Sequence, residues 1–391
     1  MDAQQRSVIR IINSALTGEK YEIPADFDLQ AAAKLAKKHS IVALFYYGAL
    51  NCGISPDEAV MQELFTITCQ YMVVSQAQMH KIYQLFAEFD SKKIEYMPLK
   101  GTVLREMYPK TEMRSMSDAD ILIKTQQYEQ IKPIMQSLGY TEDVESDHEF
   151  VWTSTSAYIE LHKRLIPSYN KDYYSYFGEG WSLAKVCKGT RYFMTDEDQM
   201  IYLFTHFAKH YRDAGIGIKH IVDLWIYRKN KPELDEKYIE TELKKLQLYD
   251  FYLNIIDTLA VWFKNAEDSP VSDLITDVIF NSGVFGTNQV LILSRAVKTS
   301  KQSGSTKSVK AYRIFHGVFL PYRKMASQYP ILKKYQFLLP FLWIVRIFDI
   351  LLFRREVITA NQKELSAVTA EAIDDYQNSL NFVGLDFNFK E

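Results

Sequence analysis

Hydrophobic and polar positions along this chain switch from helical spacing to strand spacing and back again. Up to about Asp90 the spacing is helical. Leu29 to Leu50 (LQAAAKLAKKHSIVALFYYGAL) repeats Ala and Leu every three or four positions before an aromatic-rich turn. Cys52-Gly53 and Ser55-Pro56 punctuate it. From Pro56 to Phe89, the apolar positions Leu64, Tyr71, Val74, Met79, Ile82, Leu85 and Phe86 predict two or more further helices in a bundle.

The period then shortens. Ile94 to Pro98 (IEYMP) is short, alternating and closed by proline, as a strand is. Gly101 to Tyr108 fits one or two helical turns. Ser117 to Ile123 (SDADILI) alternates with the strand period of two. Gln126 to Leu138 is an amphipathic helix closed by Gly139, with Pro133 predicting a kink or break inside it. Tyr140–Val144, Glu149–Thr153 and Tyr158–His162 are three more strand-like runs. From about Tyr173 the spacing is mostly helical. Thr195 caps a helix with Asp196, Glu197 and Asp198 in its first turn. That helix runs through Tyr211 and is broken by Gly215 and Gly217. Ile218–Arg228 and Leu234–Phe263 continue the helical pattern, and Ser300–Ser308 (SKQSGSTKS) is the candidate mobile loop. The chain thus divides into an N-terminal helical region (1–90), an α/β core (91–166) and a C-terminal helical domain (167–391).

At 391 residues the chain exceeds one compact core, so two or three structural units are expected. The net charge of −2 supplies no global positive field, which argues against bulk nucleic-acid binding and leaves room for a local basic pocket. Cys52, Cys69 and Cys187 are scattered and odd in number. They form neither a disulfide framework nor a structural zinc site, and they suit a reducing, cytoplasmic compartment. The N-terminus carries no secretory signal pattern. Phe337–Phe353 (FLLPFLWIVRIFDILLF) approaches the length of a bilayer span, yet it holds Pro340, Arg346 and Asp349. The favoured reading is a buried or interfacial helix, with packing on its own domain ahead of membrane contact. Peripheral membrane contact, aided by Arg354-Arg355, is the lesser alternative.

The chemistry concentrates in the α/β core. On a strand, Asp118 and Asp120 face the same way, while Ala119, Ile121 and Ile123 face the core. Two adjacent carboxylates repel, and a divalent cation with hard oxygen ligands, Mg²⁺ or Mn²⁺, resolves that repulsion. Tyr158, Glu160 and His162 share one face of their strand, so Glu160 adds a third carboxylate if the two strands are close. Such a cluster can hold two metal ions. Upstream, Lys100-Gly101-Thr102 follows a strand and opens a helix. Glycine lets backbone N–H groups approach phosphate oxygens, Lys100 adds charge and Thr102 a hydroxyl. Arg114 is placed to bind a phosphate or to pair with the acidic residues. Each element alone is common on ordinary strands and turns, and the reading rests on their order, spacing and context.

These residues carry a resemblance. Pro98-Leu-Lys-Gly-Thr-Val-Leu, Tyr108-Pro109 and Arg114-Ser-Met-Ser-Asp118-Ala-Asp120-Ile-Leu-Ile resemble the uncharacterised nucleotidyltransferase family of the polymerase-β-like superfamily. Glu160-Leu161-His162 is similar to its later E/D-L-H strand. Met194–His210, Gly217–Leu224, Tyr329-Pro330 and Leu338-Leu339-Pro340 through Trp343 to Arg346 resemble its second half. The superfamily's usual Gly-Ser is Gly-Thr here, which keeps the hydroxyl. The resemblance implies an α+β fold: a small mixed β-sheet nucleotidyltransferase core flanked by helical regions. It also implies that Asp118, Asp120 and Glu160 are catalytic metal ligands, and that Gly101 and Thr102 hold nucleotide phosphates.

The helical half adds residues of lower rank. His206 and His210 stand one helical turn apart, but the general-base Glu of H-E-x-x-H is missing, which disfavours zinc. They are either satisfied within the bundle or contacts to the nucleotide. Lys219 and Asp223 are similar to a basic residue and an Asp one helical turn apart in related nucleotidyltransferase toxins. Their bland alternative is an i,i+4 ion pair. The expected activity is Mg²⁺- or Mn²⁺-dependent transfer of a nucleoside monophosphate from an NTP, ATP among the candidates, to an unidentified acceptor hydroxyl. The acceptor is a small molecule, a protein or an RNA end, and pyrophosphate is released. The alternative is a catalytically silent nucleotide-binding regulator or scaffold, docked at a membrane surface or not.

Overall fold

The computed structural model describes residues 1–155, 157–284, 286–303, 319–320, 322–353 and 369–387. The chain forms two compact units. The first contains residues 1–211 and 215–286 and the segment from Val383 onward, and the second contains 212–214 and 287–382.

In the first unit, helices α1 (Ala3–Thr17), α2 (Leu29–Lys38), α3 (Val42–Asn51) and α4 (Ala59–Ser91) precede the sheet. The continuous pattern from Leu29 to Leu50 breaks at Ser40, which takes φ +55° and turns the chain between α2 and α3. A Cβ on Gly48 would lie 1.9 Å from Ile11 O, so only glycine lets α1 and α3 approach this closely. The expected two or more helices between Pro56 and Phe89 are one 33-residue helix, α4. Its interior contains no Gly or Pro, so nothing local interrupts it.

Seven strands follow in the order β3-β4-β5-β2-β1-β7-β6. They are β1 (Tyr96–Pro98), β2 (Ala119–Ile123), β3 (Thr141–Glu145), β4 (Glu149–Thr153), β5 (Tyr158–His162), β6 (Lys185–Lys188) and β7 (Arg191–Phe193). Pairs β2/β5 and β1/β7 are parallel and the rest antiparallel, which makes the sheet mixed. Helices α5 (Gly101–Leu104), α6 (Tyr128–Ser137) and α7 (Lys171–Phe177) lie between strands in sequence. Pro133 sits inside α6 without ending it. The β6–β7 hairpin interrupts the helical spacing expected from about Tyr173 onward. Its strands are short and largely solvent-facing, so they carry no apolar alternation to read, and Gly189 supplies the turn at φ +60°.

One sheet face is apolar. Ala119, Ile121, Ile123, Phe150, Trp152, Ile159 and Leu161 pack against Met79, Ile82, Leu85, Phe86 and Phe89 of α4 and Ile131, Ile134 and Met135 of α6. The alternation therefore turns Asp120, Glu160 and His162 to the opposite face. Helices α8 (Asp196–Asp213), α9 (Ile218–Asn230), α10 (Glu236–Lys245), α11 (Tyr249–Phe263) and α12 (Pro270–Ser282) complete the helical half. Thr195 caps α8 as expected, its Oγ1 accepting from Asp198 N at 3.1 Å. Val383, Leu385 and Phe387 return to this unit and are buried, with Asn254 Nδ2 donating to Val383 O.

The second unit contains α13 (Asn288–Ser303), α14 (Tyr322–Gln328), α15 (Leu339–Phe353) and α16 (Ala370–Phe382) among its described residues. Ser300–Ser303, read as the start of a loop, are the last turn of α13; residues 304–308 of that stretch lie outside the described residues. Leu338, Leu339, Leu342 and Trp343 pack against Met325, Ala326 and Leu332. The expectation that Phe337–Phe353 is packed within its own domain holds for that side only. Phe337, Phe341, Ile344, Val345 and Phe348 are exposed. Among the described residues no helix is long and apolar enough to cross a membrane.

Candidate active site

The acidic floor follows from one pairing. Strands β2 and β5 are parallel and in register, so Asp120 stands directly beside Glu160 and Leu122 beside His162. Cross-strand neighbours have Cβ atoms about 5 Å apart. Asp120, Glu160 and His162 place one ligand atom each within 4.8 Å of one another. His148, Glu149 and His162 make a second such set. Glu149 opens β4, opposite His162 on β5. Its carboxylate takes His148 Nε2 at 2.9 Å.

Lys100 Nζ donates to Asp120 Oδ1 at 2.8 Å, and His162 Nε2 lies 2.8 Å from the same oxygen. Lys100 reaches it from the turn after β1, where its backbone takes φ +40°. Burial alone would raise the Asp120 carboxyl, but the Lys100 charge and the His162 hydrogen bond outweigh it and hold the group well below the usual carboxylate range. Glu160 goes the other way. Burial raises its proton affinity, as do the charges of Asp120 and Asp118, against the hydrogen bond from His162. Burial also disfavours the His162 imidazolium, yet hydrogen bonds to Asp120 and Glu160 leave its pKa raised.

Asp118 was expected on the strand. It precedes β2, which begins at Ala119, and its Oδ1 accepts from Ser117 Oγ at 2.8 Å. It lines the same cavity as Asp120 and Glu160 but belongs to neither of the two close sets. Lys100, Gly101 and Arg114 line the cavity too, whereas Thr102 is buried outside its lining, its Oγ1 without a hydrogen-bond partner among the described residues.

Arg114 does not reach the acidic floor. Its Nε and Nη2 donate to Asp223 Oδ1 and Oδ2 at 2.8 and 3.0 Å, and Tyr108 Oη donates to Asp223 Oδ1 at 2.8 Å. All three residues are buried. The i,i+4 ion pair between Lys219 and Asp223, the bland alternative, does not form; Asp223 is instead held in a bidentate clamp across 109 residues of sequence. Gly101 makes room for it: a Cβ there would lie 2.5 Å from Arg114 Nη1. The clamp fixes α9 against the segment that leads into β2. His39 fixes the start of the same helix. Ile218 N donates to His39 Nδ1 and His39 Nε2 lies 3.1 Å from Phe280 O, an arrangement that needs the neutral ring.

The opposing wall comes from α8 and α9. His206, Lys209, His210, Lys219 and His220 line it. His206 Nε2 and His210 Nε2 are 3.1 Å apart. Burial, reinforced by neighbouring cations, drives His206 and His220 well below the ordinary imidazole value, so both are neutral. Lys219 makes no ion pair among the described residues. Burial first, then Arg114, lowers its ammonium to about 8. The cavity between the two walls holds about 370 Å³.

The donor set suits a divalent cation. Two carboxylates and an imidazole converge, and two buried ring nitrogens of cavity-lining residues, His162 Nδ1 and His220 Nδ1, have no hydrogen-bond partner among the described residues. Orphaned buried groups of this kind are rare in folded proteins unless a ligand or water serves them. His148, Glu149, His162 and His220 were not singled out from sequence as site residues. The face shared by Glu160 and His162 was legible there; the pairing of β4 with β5 was not.

No curated protein matches this sequence. Among solved structures, the antibiotic-resistance factor ANT(2'')-Ia, determined in solution, is similar at a TM-score of 0.33 and 12% identity, over 49% of this chain and 100% of its own. Residues 25–264 match the model of the uncharacterised nucleotidyltransferases, and the chain belongs to that family.

Proposed function

We propose that this protein transfers a nucleoside monophosphate from an NTP to an acceptor hydroxyl, with Mg²⁺ or Mn²⁺ held by Asp118, Asp120 and Glu160. The observation that carries the reading is the opposition of the two cavity walls. Carboxylates of β2 and β5 face the Lys and His side chains of α8 and α9 across one space. A triphosphate with its cation has the matching polarity.

A bound divalent cation would supply charge neutralisation at the reacting phosphate and activation of the hydroxyl. The chain's own residues do the rest. Lys219 and the imidazoles of His206 and His210 contact the phosphates, and Lys100, once displaced from Asp120, adds a second positive charge. Gly101 leaves space beside the clamp, while Arg114 and Asp223 act by holding α9 in place. The acceptor oxygen forms a bond to the α-phosphorus, the bond to the β-phosphate oxygen breaks, and pyrophosphate leaves. The carboxylate of Glu160 takes the hydroxyl proton and passes it to solvent.

The test is incubation with each α-labelled NTP, Mg²⁺ or Mn²⁺ and cell extract, followed by separation of protein, RNA and small molecules. Label in one fraction, lost in Asp120→Asn and Glu160→Gln, supports the reading and names the acceptor class. Absence of label in every fraction, with metal-dependent nucleotide binding intact, favours the second reading: a nucleotide-binding regulator without transfer. The Lys100–Asp120 pair is the observation behind that reading, because it gives Asp120 a built-in counter-ion.

A further inference from the structure

We infer that the second unit docks on an anionic membrane surface through the exposed side of α15. The helix is apolar on both sides. Its inner side, Leu339, Leu342 and Trp343, is used in packing, and Trp343 Nε1 donates to Leu320 O at 2.9 Å. Its outer side is Phe341, Ile344, Val345 and Phe348, spaced i, i+3, i+4 and i+7. These four are 64%, 53%, 50% and 58% exposed, and Phe337, just before the helix, is 71% exposed. Ile331 and Tyr335 are exposed in the preceding segment. Large apolar side chains rarely gather on a surface that meets only water.

Charge identifies the occupant. Residues 287–355 contain 13 Lys and Arg and one acidic residue, Asp349, a net +12 in a chain whose total is −2. The basic excess is therefore confined to the stretch that carries the apolar helix. An apolar stripe within this strongly basic stretch matches a bilayer whose headgroups are negative, since each cation near such a surface adds to the attraction. At 15 residues α15 spans about 22 Å, short of the roughly 30 Å hydrocarbon core, so it lies along the interface rather than across it. The outermost side chains on this side are aromatic and aliphatic. RNA, which the charge alone would also attract, calls for cations and stacking platforms along a groove instead.

The experiment is flotation of the full chain with vesicles of phosphatidylcholine alone and of phosphatidylcholine with phosphatidylglycerol. The protein is expected to float with the anionic vesicles, and less as salt rises. The double variant Phe341→Ser/Phe348→Ser should lose on the order of tenfold or more in vesicle affinity, the loss expected from two apolar anchors. Both side chains are exposed, so its melting temperature and nucleotide binding should match the wild type. Failure to float with either vesicle overturns the inference. So does binding that the double variant leaves unchanged, or an RNA homopolymer or a second copy of the chain engaging this face while vesicles do not.

Discussion

Lys100 and Asp120 form the ion pair at the floor of the cavity, with Nζ 2.8 Å from Oδ1. The backbone contributes to this contact at a cost. Lys100 holds φ +40°, a region where a side chain is strained by about 1–3 kcal/mol, and the surrounding contacts offset it. The ammonium thus occupies the carboxylate oxygen that a divalent cation would share.

Removing that ammonium should expose the competition. Lys100→Met is expected to bind Mn²⁺ more tightly without nucleotide, on the order of tenfold, because Asp120 and Glu160 lose their internal counter-ion. Its melting temperature should fall in metal-free buffer and recover when Mn²⁺ is added. Titration calorimetry reads the first effect; an unchanged affinity would show that Lys100 and the metal do not share Asp120.

The Arg114–Asp223 clamp is buried, so breaking it on one side leaves a charge stranded. Arg114→Ala should destabilise the protein by about 3–5 kcal/mol in urea unfolding. Arg114→Lys should recover only part of this, since an ammonium cannot form the two parallel hydrogen bonds. Equal stability of the Lys and Arg forms would rule out the bidentate geometry as the stabilising feature.

Gly101→Ala should act through the same clamp. Its Cβ would fall 2.5 Å from Arg114 Nη1, and overpacking of this kind costs about 1–3 kcal/mol. In an Arg114→Ala background the cost should shrink, so a double-mutant cycle yields a coupling energy. Additive losses would place the strain of Gly101→Ala elsewhere.

His39 predicts a slope of stability with pH. Burial, reinforced by the Lys38 charge and opposed by the Phe280 carbonyl, lowers its imidazole from 6.5 to about 4, and Nδ1 of the neutral ring accepts from Ile218 N. The unfolded chain therefore takes up the proton first. The contribution is complete above about pH 6.5 and declines by on the order of 3 kcal/mol as the pH falls to 4. The difference between wild type and His39→Gln across this range isolates the effect from carboxylate titration. A flat difference would be the contrary result.

Lys219 predicts a different pH dependence, in binding. Its ammonium, lowered to about 8 by burial and Arg114, is charged below that pH and neutral above it. Nucleotide affinity should hold steady up to about pH 8 and then fall as the cation is lost. Lys219→Gln should bind more weakly at pH 7 and show no such fall. Dissociation constants between pH 6.5 and 9.5 decide it, and a wild-type profile that stays level to pH 9.5 counts against a role for this charge.

Local chemistry in the sequence determined much of the scaffold. The alternation around Asp120 and Glu160 is a property of neighbouring residues, so it shows which side chains share a face before any partner strand is known. The cap at Thr195 and the glycines after α8 are local in the same sense. Other features depended on the closed fold. The parallel register that sets Asp120 beside Glu160, the reach of Arg114 to Asp223 and the seat of His39 under α9 join residues 40 or more positions apart. No periodicity encodes such contacts, because they are chosen by how the helices and sheet pack together. For the same reason Asp118 moved off the strand, Thr102 fell outside the cavity lining, and His148, Glu149 and His162 joined the acidic floor. The residue types were written along the chain; the company each one keeps was decided by tertiary packing.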